Sequence, residues 1–220
     1  MILFASVIVV AFLVGLLSGG RIRRFEDLHL RWPWLAVGGL ALQFVPLPDG
    51  AVGTDLVVRT AVLVCSYVLL LTFAALNIRL AGVSVLFVGL ALNMTVIGAN
   101  GGMPVSRGAL ESSGQADVLQ VLIDEGAAKH HLLTDDDVLT PLADVIPVGG
   151  PIKQVVSLGD VFVYAGVMWL IVAVMRGRIP LESLRGQGAY RGKHRKGAEP
   201  TADLEPPSIP PAATMSGTAP

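Results

Sequence analysis

The sequence predicts an all-α, polytopic membrane protein: five transmembrane helices with short helices in one long outer loop. Three observations predict it. Several windows of roughly twenty residues carry almost no charge, which is the length a bilayer-spanning helix needs. Only 15% of the 220 residues are charged, against about 25% in a typical soluble domain, and mean hydropathy is +0.66. The remaining basic residues gather in alternate connections, as threading through a membrane requires.

Span one covers residues 1–20, which hold no charge and are rich in Ile, Leu, Val and Phe. A cleaved signal peptide would need a basic start and a small-residue cleavage site. Here Arg21, Arg23 and Arg24 follow instead, so the segment reads as a retained helix. Span two covers 32–48. Pro33 suits a first helical turn, where the missing N–H costs nothing. Trp32 and Trp34 suit the membrane interface, and Pro46 and Pro48 close the span. Span three covers 56–76, with Arg59 positioned to snorkel outward. Cys65, the single cysteine, reads as a small buried hydrophobe. Asn77, Ile78 and Arg79 form a tight turn into span four, 80–99, so spans three and four are antiparallel neighbours. Span five covers 158–175. Ser157 and Asp160 form a capping pair, which explains a carboxylate at the mouth of a membrane helix.

Arg21, Arg23, Arg24, Arg31, Arg79, Arg176, Arg178, Arg185, Arg191, Lys193, Arg195 and Lys196 fall on one side, twelve of the sixteen basic residues. That side is cytoplasmic by the positive-inside rule, with the N-terminus outside and the C-terminus inside. The five spans and the loop make one membrane domain, residues 1–178. Residues 179–220 are basic and then Ala-Pro-rich, too poor in apolar area to fold. They read as a disordered cytoplasmic tail whose basic part meets anionic lipid. The bilayer, anionic lipid and a membrane protein are the expected partners, and nucleic acid is not.

The outer loop, 100–157, carries the residues that chemistry would need. Asn100-Gly101-Gly102-Met103-Pro104-Val105 either stops the fourth helix or forms a re-entrant turn. Val118, Leu119, Val121, Leu122 and Ile123 predict a short amphipathic helix. Thr134 with Asp137 suggests a second capping box, opening a helical turn through Leu139, Leu142, Val145 and Ile146. These segments would lie on the outer surface or over the bundle mouth. Asp135, Asp136 and Asp137 read as helix N-terminal charge, with a divalent cation site as the alternative. His130 and His131 are adjacent, so their rings diverge in most backbone conformations, and the pair is a weak zinc signal. In or at the spans, Gln43, Asn77, Asn93 and Asn100 are expected to hydrogen-bond between helices, each worth about 0.6 to 2 kcal/mol. Asn93 and Asn100 share a helix face. Gly15/Gly19 and Gly98/Gly102 fit a small-residue packing pattern.

Certain pieces taken together carry a resemblance: Gly19-Gly20-Arg21, Trp32-Pro33-Trp34, Asn100 to Val105, Asp144-Val145-Ile146-Pro147 and Ser157-Leu158-Gly159-Asp160. On these the chain resembles an uncharacterised family of small bacterial integral membrane proteins, grouped as a domain of unknown function. The resemblance covers roughly residues 1–178. It implies a bacterial plasma membrane location and no particular activity.

No nucleophile motif, phosphate loop, cofactor motif or metal-ligand spacing stands out, and no charge lies mid-span, which argues against an ion-coupled carrier. A non-enzymatic scaffold or accessory component is the first reading. An outer-leaflet enzyme acting on a lipid-linked substrate is the second. Its candidate residues would be Asn100, His130, His131, Asp144 and Asp160, provided they converge. A small oligomeric permease is the third. Convergence of Asn100, one histidine and Asp160 in one pocket is the feature that separates the first two.

Overall fold

A computed structural model of the chain describes residues 2–45, 54–124 and 130–178. The expected tail at 179–220, and Pro46 and Pro48 at the end of span two, lie outside the described residues.

The helices are α1 (Ile2–Leu17), α2 (Pro33–Gln43), α3 (Thr54–Leu76), α4 (Val83–Asn100), then α5 (Arg107–Ser113), α6 (Ala116–Asp124) and α7 (Leu158–Met175). Among the described residues, three are long and apolar enough to cross a membrane, within α3, α4 and α7. The five expected spans divide here. With 16 residues, α1 is about 24 Å long, and with 11 residues, α2 is about 16 Å long, at 1.5 Å per residue. Both fall short of the ~30 Å hydrocarbon core as regular helices. Pro33 opens α2 as expected, behind a left-handed Trp32.

The helices pack side by side in the order α1, α7, α4, α3, α2. At one end, Arg21 N donates to Met175 O (2.8 Å) and Arg24 Nη1 donates to the same carbonyl (3.1 Å). Asn77 accepts from Arg31 N (2.8 Å) and donates to Arg31 O (2.9 Å), pinning the chain ahead of α2 to the α3–α4 turn. Arg79, Arg176 and Arg178 end at the same level, so the described arginines outside α3 and the cap gather at one end of the bundle. At the other end Leu3 N donates to Gln154 Oε1 (3.3 Å), so α1 and α7 run parallel.

The tightest helix pair is α4 against α7, and it is built on glycines seven residues apart. Gly82 and Gly89 face Gly166 and Gly159. A Cβ added at Gly82 would strike Gly166 O, and one at Gly89 would strike Gly159 O; at Gly159 it would strike the Asn93 side chain. A seven-residue repeat keeps one seam facing a neighbour, and missing side chains let the backbones close together. The two pairs expected from sequence do not do this. Gly15 packs on Met175, but Gly19 and Gly98 have nothing within 4 Å.

Other expectations change with packing. Cys65 is exposed on the outer face of α3, where it was expected buried. Arg59, expected to snorkel outward, is buried. Its neighbour Thr60 donates to Gly101 O (2.9 Å), so this turn of α3 is covered by the chain leaving α4. The bundle's outward surface is otherwise apolar: Leu13, Leu17, Trp34, Val37, Val57 and Trp169 are all exposed.

The long connection is a folded cap, containing strands that the sequence does not announce. Gly101 ends α4 in the left-handed conformation (φ 71°), and β1 (Met103–Val105) follows. It pairs in parallel with β2 (His130–Leu132), in the register Met103–His130 and Val105–Leu132. On the other edge of β1, Val105 bridges Asp144 in parallel. Ser106 N donates to Asp144 O (2.9 Å), and Asp144 N donates to Pro104 O (3.0 Å). A hairpin of β3 (Ile146–Val148) and β4 (Gln154–Val156) leads into α7. The expected amphipathic helix is α6, with Leu119 and Leu122 inward beside Val105, Ala109, Leu110 and Val155. Val118, Val121 and Ile123 face outward. The helical turn expected through Leu139 to Ile146 is not formed: only Thr140–Leu142 make a 3-10 turn, and Ile146 begins a strand. Pro141 and Pro147 lack the N–H a continuing helix needs. The cap sits over the bundle mouth, with Met103 buried against Leu63, Val96 and Ile97.

Candidate functional site

The geometry of β2 decides the fate of the two histidines. Successive side chains on a strand point to opposite faces, and directly paired residues share a face. His130 is therefore on the face of Met103, and Asp144, opposite Val105, is on that face too. His130 Nε2 lies 3.6 Å from Asp144 Oδ2. His131 points the other way, with Nε2 2.8 Å from Asp137 Oδ1.

The His130 face closes over a cavity of about 130 Å³ lined by Gln43, Leu63, Tyr67, Asn93, Ile97, Met103, His130, Asp144 and Asp160. Its floor is a hydrogen-bonded joint between α4 and α7. Asn93 Nδ2 donates to Asp160 Oδ1 (2.8 Å), and Ser157 Oγ donates to Asn93 Oδ1 (2.9 Å). The expected capping box is present in both directions: Asp160 N donates to Ser157 Oγ (3.0 Å) and Ser157 N to Asp160 Oδ2 (3.2 Å). Asn93 and Ser157 are both buried, and Tyr67 from α3 is hydrogen-bonded to Asn93.

Asp144 is the anomaly. It is only 6% exposed, and its Oδ1 is buried with no hydrogen-bond partner among the described residues. Buried carboxylate oxygens almost always have partners. Burial, and after it the charge of Asp160, pushes the Asp144 carboxyl up to about 8. At neutral pH it therefore holds a proton and can donate it. Asp137 behaves in the opposite way. Burial pulls its carboxyl up, but the His131 bond and those from the Thr134 backbone and hydroxyl outweigh that and hold it below its ordinary value.

Of the five sequence candidates, His130, Asp144 and Asp160 meet in one cavity, and Asn100 and His131 do not. Asn100 holds the cap instead: Nδ2 donates to Val96 O and Val138 O (both 3.0 Å), and Oδ1 accepts from Val138 N (2.9 Å). The Thr134–Asp137 contact expected as a capping box is real, but it serves a turn bound to His131 rather than a helix. Tyr67, Asn93 and Gln43 join the site without having been candidates. Tyr67 lies four residues after Leu63 on α3, one turn along the same face, which is the only signal that marked it. No group of three or more His, Cys, Asp or Glu side chains able to hold a metal occurs among the described residues.

A second cavity of about 190 Å³ lies within the cap. It shares His130 and Asp144 with the first and is otherwise lined mainly by apolar side chains, including Val105, Leu110 and Leu122.

Residues 27–172 match the family of unknown function DUF5317, and the chain belongs to that family. The matched part begins after the Gly19-Gly20-Arg21 piece and includes α2 to α6 and most of α7. No curated protein and no solved structure matches the chain.

Proposed function

Starting from a family with no assigned activity, we propose that this is a five-span bacterial plasma membrane protein that binds a small polar molecule at its outer face. It would act as a non-enzymatic accessory component. The observation that carries the reading is the convergence of His130, Asp144 and Asp160 on one cavity, with one oxygen of the buried Asp144 carboxyl left without a partner. A joint that merely fastened the cap would gain from satisfying every polar atom. The location at the cap end, opposite the arginine-rich end, supports an extracytoplasmic site under the positive-inside rule. The N-terminus would then be outside, the C-terminus inside, and α1 and α2 would complete their crossings with flanking chain.

Two measurements test this. In a Cys65→Ala background, a membrane-impermeant thiol reagent should label Ser112→Cys in intact cells and leave Ser183→Cys unlabelled. The reverse pattern overturns the threading. A thermal-shift screen of chemically varied small solutes on the full-length protein in nanodiscs should find solutes that raise Tm. Their effect should be lost in Asp144→Asn. If no solute acts, or wild type and variant respond alike, the binding reading fails.

A second reading, an outer-leaflet enzyme on a lipid-linked substrate, draws on the same site. A protonated Asp144 beside a half-exposed His130 could act as a general acid with its partner base. That reading gains if Asp144→Asn abolishes a cellular phenotype while Tm and solute binding persist.

A further inference from the structure

The cavity's chemistry is lopsided, and the imbalance identifies what it lacks. Every carboxylate oxygen is an acceptor. Of the four on Asp144 and Asp160, three have nitrogen neighbours: Asn93 Nδ2 on one oxygen of Asp160, Ser157 N on the other, and His130 Nε2 at 3.6 Å from Asp144 Oδ2. The fourth, Asp144 Oδ1, has none. Among the described residues, no Lys or Arg lines the cavity. Two carboxylates sharing a low-dielectric space repel, and a cation between them relieves this.

Resting on the binding reading above, we propose that the cavity takes a small primary amine, its ammonium group bound between the Asp144 and Asp160 carboxylates and its short carbon stem against Leu63, Ile97 and Met103. An ammonium offers three donors, for the Asp144 and Asp160 carboxylates and the Gln43 carbonyl that line the cavity. The three apolar lining residues suit a stem and not a metal ion, which would need further oxygen ligands. A cavity of roughly 150 Å³ accepts benzene, so the space here holds about five or six heavy atoms.

Amine binding requires the Asp144 carboxylate, so a proton leaves Asp144 as the ligand enters. The ionisable groups facing Asp144 are Asp160 from α7 and His130 from β2, with the Tyr67 and Tyr164 phenols in the same field. Affinity should rise up to tenfold per pH unit as pH approaches about 8, then fall when the amine itself loses its proton, near the ~10 typical of alkylammonium groups.

The experiment uses the full-length protein in phosphatidylcholine nanodiscs, with n-propylamine against its neutral isostere 1-propanol. Propylamine should raise Tm by several degrees at pH 8 and less at pH 6.5, while propanol should not. Asp144→Asn and Asp160→Asn should each lose the shift, and Asp137→Asn should keep it. The same ammonium could belong to a free solute or to an ethanolamine headgroup. A shift with propylamine only assigns the free solute. A rise in wild-type Tm on replacing part of the phosphatidylcholine by phosphatidylethanolamine, absent in Asp144→Asn, assigns the lipid. Equal shifts from propanol, or a propylamine shift that survives Asp144→Asn, overturn the proposal. If other solutes stabilise the wild type and amines do not, the amine class is wrong while the binding site stands. If nothing binds, both fall.

Discussion

His130 and His131 are neighbours in sequence with opposite circumstances. His131 closes a satisfied pair: 2.8 Å to Asp137, whose second oxygen takes both donors of Thr134. His130 leans towards Asp144 at 3.6 Å across a cavity, and Asp144 keeps an unpartnered buried oxygen. One pair fastens the cap, and the other is built at the cost of stability. Buried polar groups left incomplete in this way cluster where a protein binds something. The difference comes from a single residue's step along β2, which sends one ring to Asp137 and the other to the cavity at the bundle mouth.

The contrast can be broken most directly at Asp144. Its carboxyl is raised from 3.8 to about 8, so the folded protein holds a proton there that the unfolded chain releases above pH 4. The stability linked to that proton is complete below about pH 4 and is lost as pH rises through 8. Asp144→Asn, nearly isosteric and neutral, should remove the slope. Urea or thermal unfolding in detergent should show wild type losing up to about 4 kcal/mol relative to the variant between pH 5 and 9. Parallel pH profiles would mean that Asp144 is not a buried acid.

Next in size is the floor of the cavity. Asn93→Ala leaves Asp160 Oδ1 without its Asn93 donor and the Ser157 hydroxyl proton without its acceptor, at about 1 to 3 kcal/mol. Asp160→Ala removes the other half of the joint. The double variant should cost less than the two singles together, with a coupling of at least ~1 kcal/mol. Asn100→Ala combined with Asp160→Ala should be additive, since Asn100 bonds Val96 and Val138 instead. Additivity in the first pair would separate α4 from the capped start of α7.

The fastening pair should show a smaller effect of opposite pH sign. The Asp137 carboxyl is held below its ordinary value, so its contribution is present above about pH 4 and disappears as pH falls below it. His131→Ala should cost about 1 kcal/mol at neutral pH, because the His131 side chain is 36% exposed and solvent screens the pair. That cost should shrink below pH 4. The smallest stability change belongs to His130→Ala, within about 0.5 kcal/mol for a half-exposed ring, yet it should alter solute binding at the cavity. Equal destabilisation by the two histidine variants would erase the distinction.

Much of the architecture was written in local patterns. Hydropathy alone marks the long apolar helices, because a bilayer-length run without charge has few other homes. Ser157 and Asp160 were legible as a capping box because both partners sit within one helical turn. The α4–α7 seam was legible too, in two glycine pairs seven residues apart, but a four-residue spacing drew attention to the wrong glycines. What sequence could not reach were the parallel pairing of three-residue strands and the bridge at Asp144. These bring together residues dozens of positions apart, and so short a strand has no alternation to read. It was the tertiary structure that turned His130 toward the cavity and His131 toward Asp137, put Asn93 instead of Asn100 against Asp160, and left Asp144 buried with one oxygen unpaired. Apolar runs and caps are settled by neighbours in the chain; a site assembled from two strands, a bridge and four helices is settled only when packing brings them to one place.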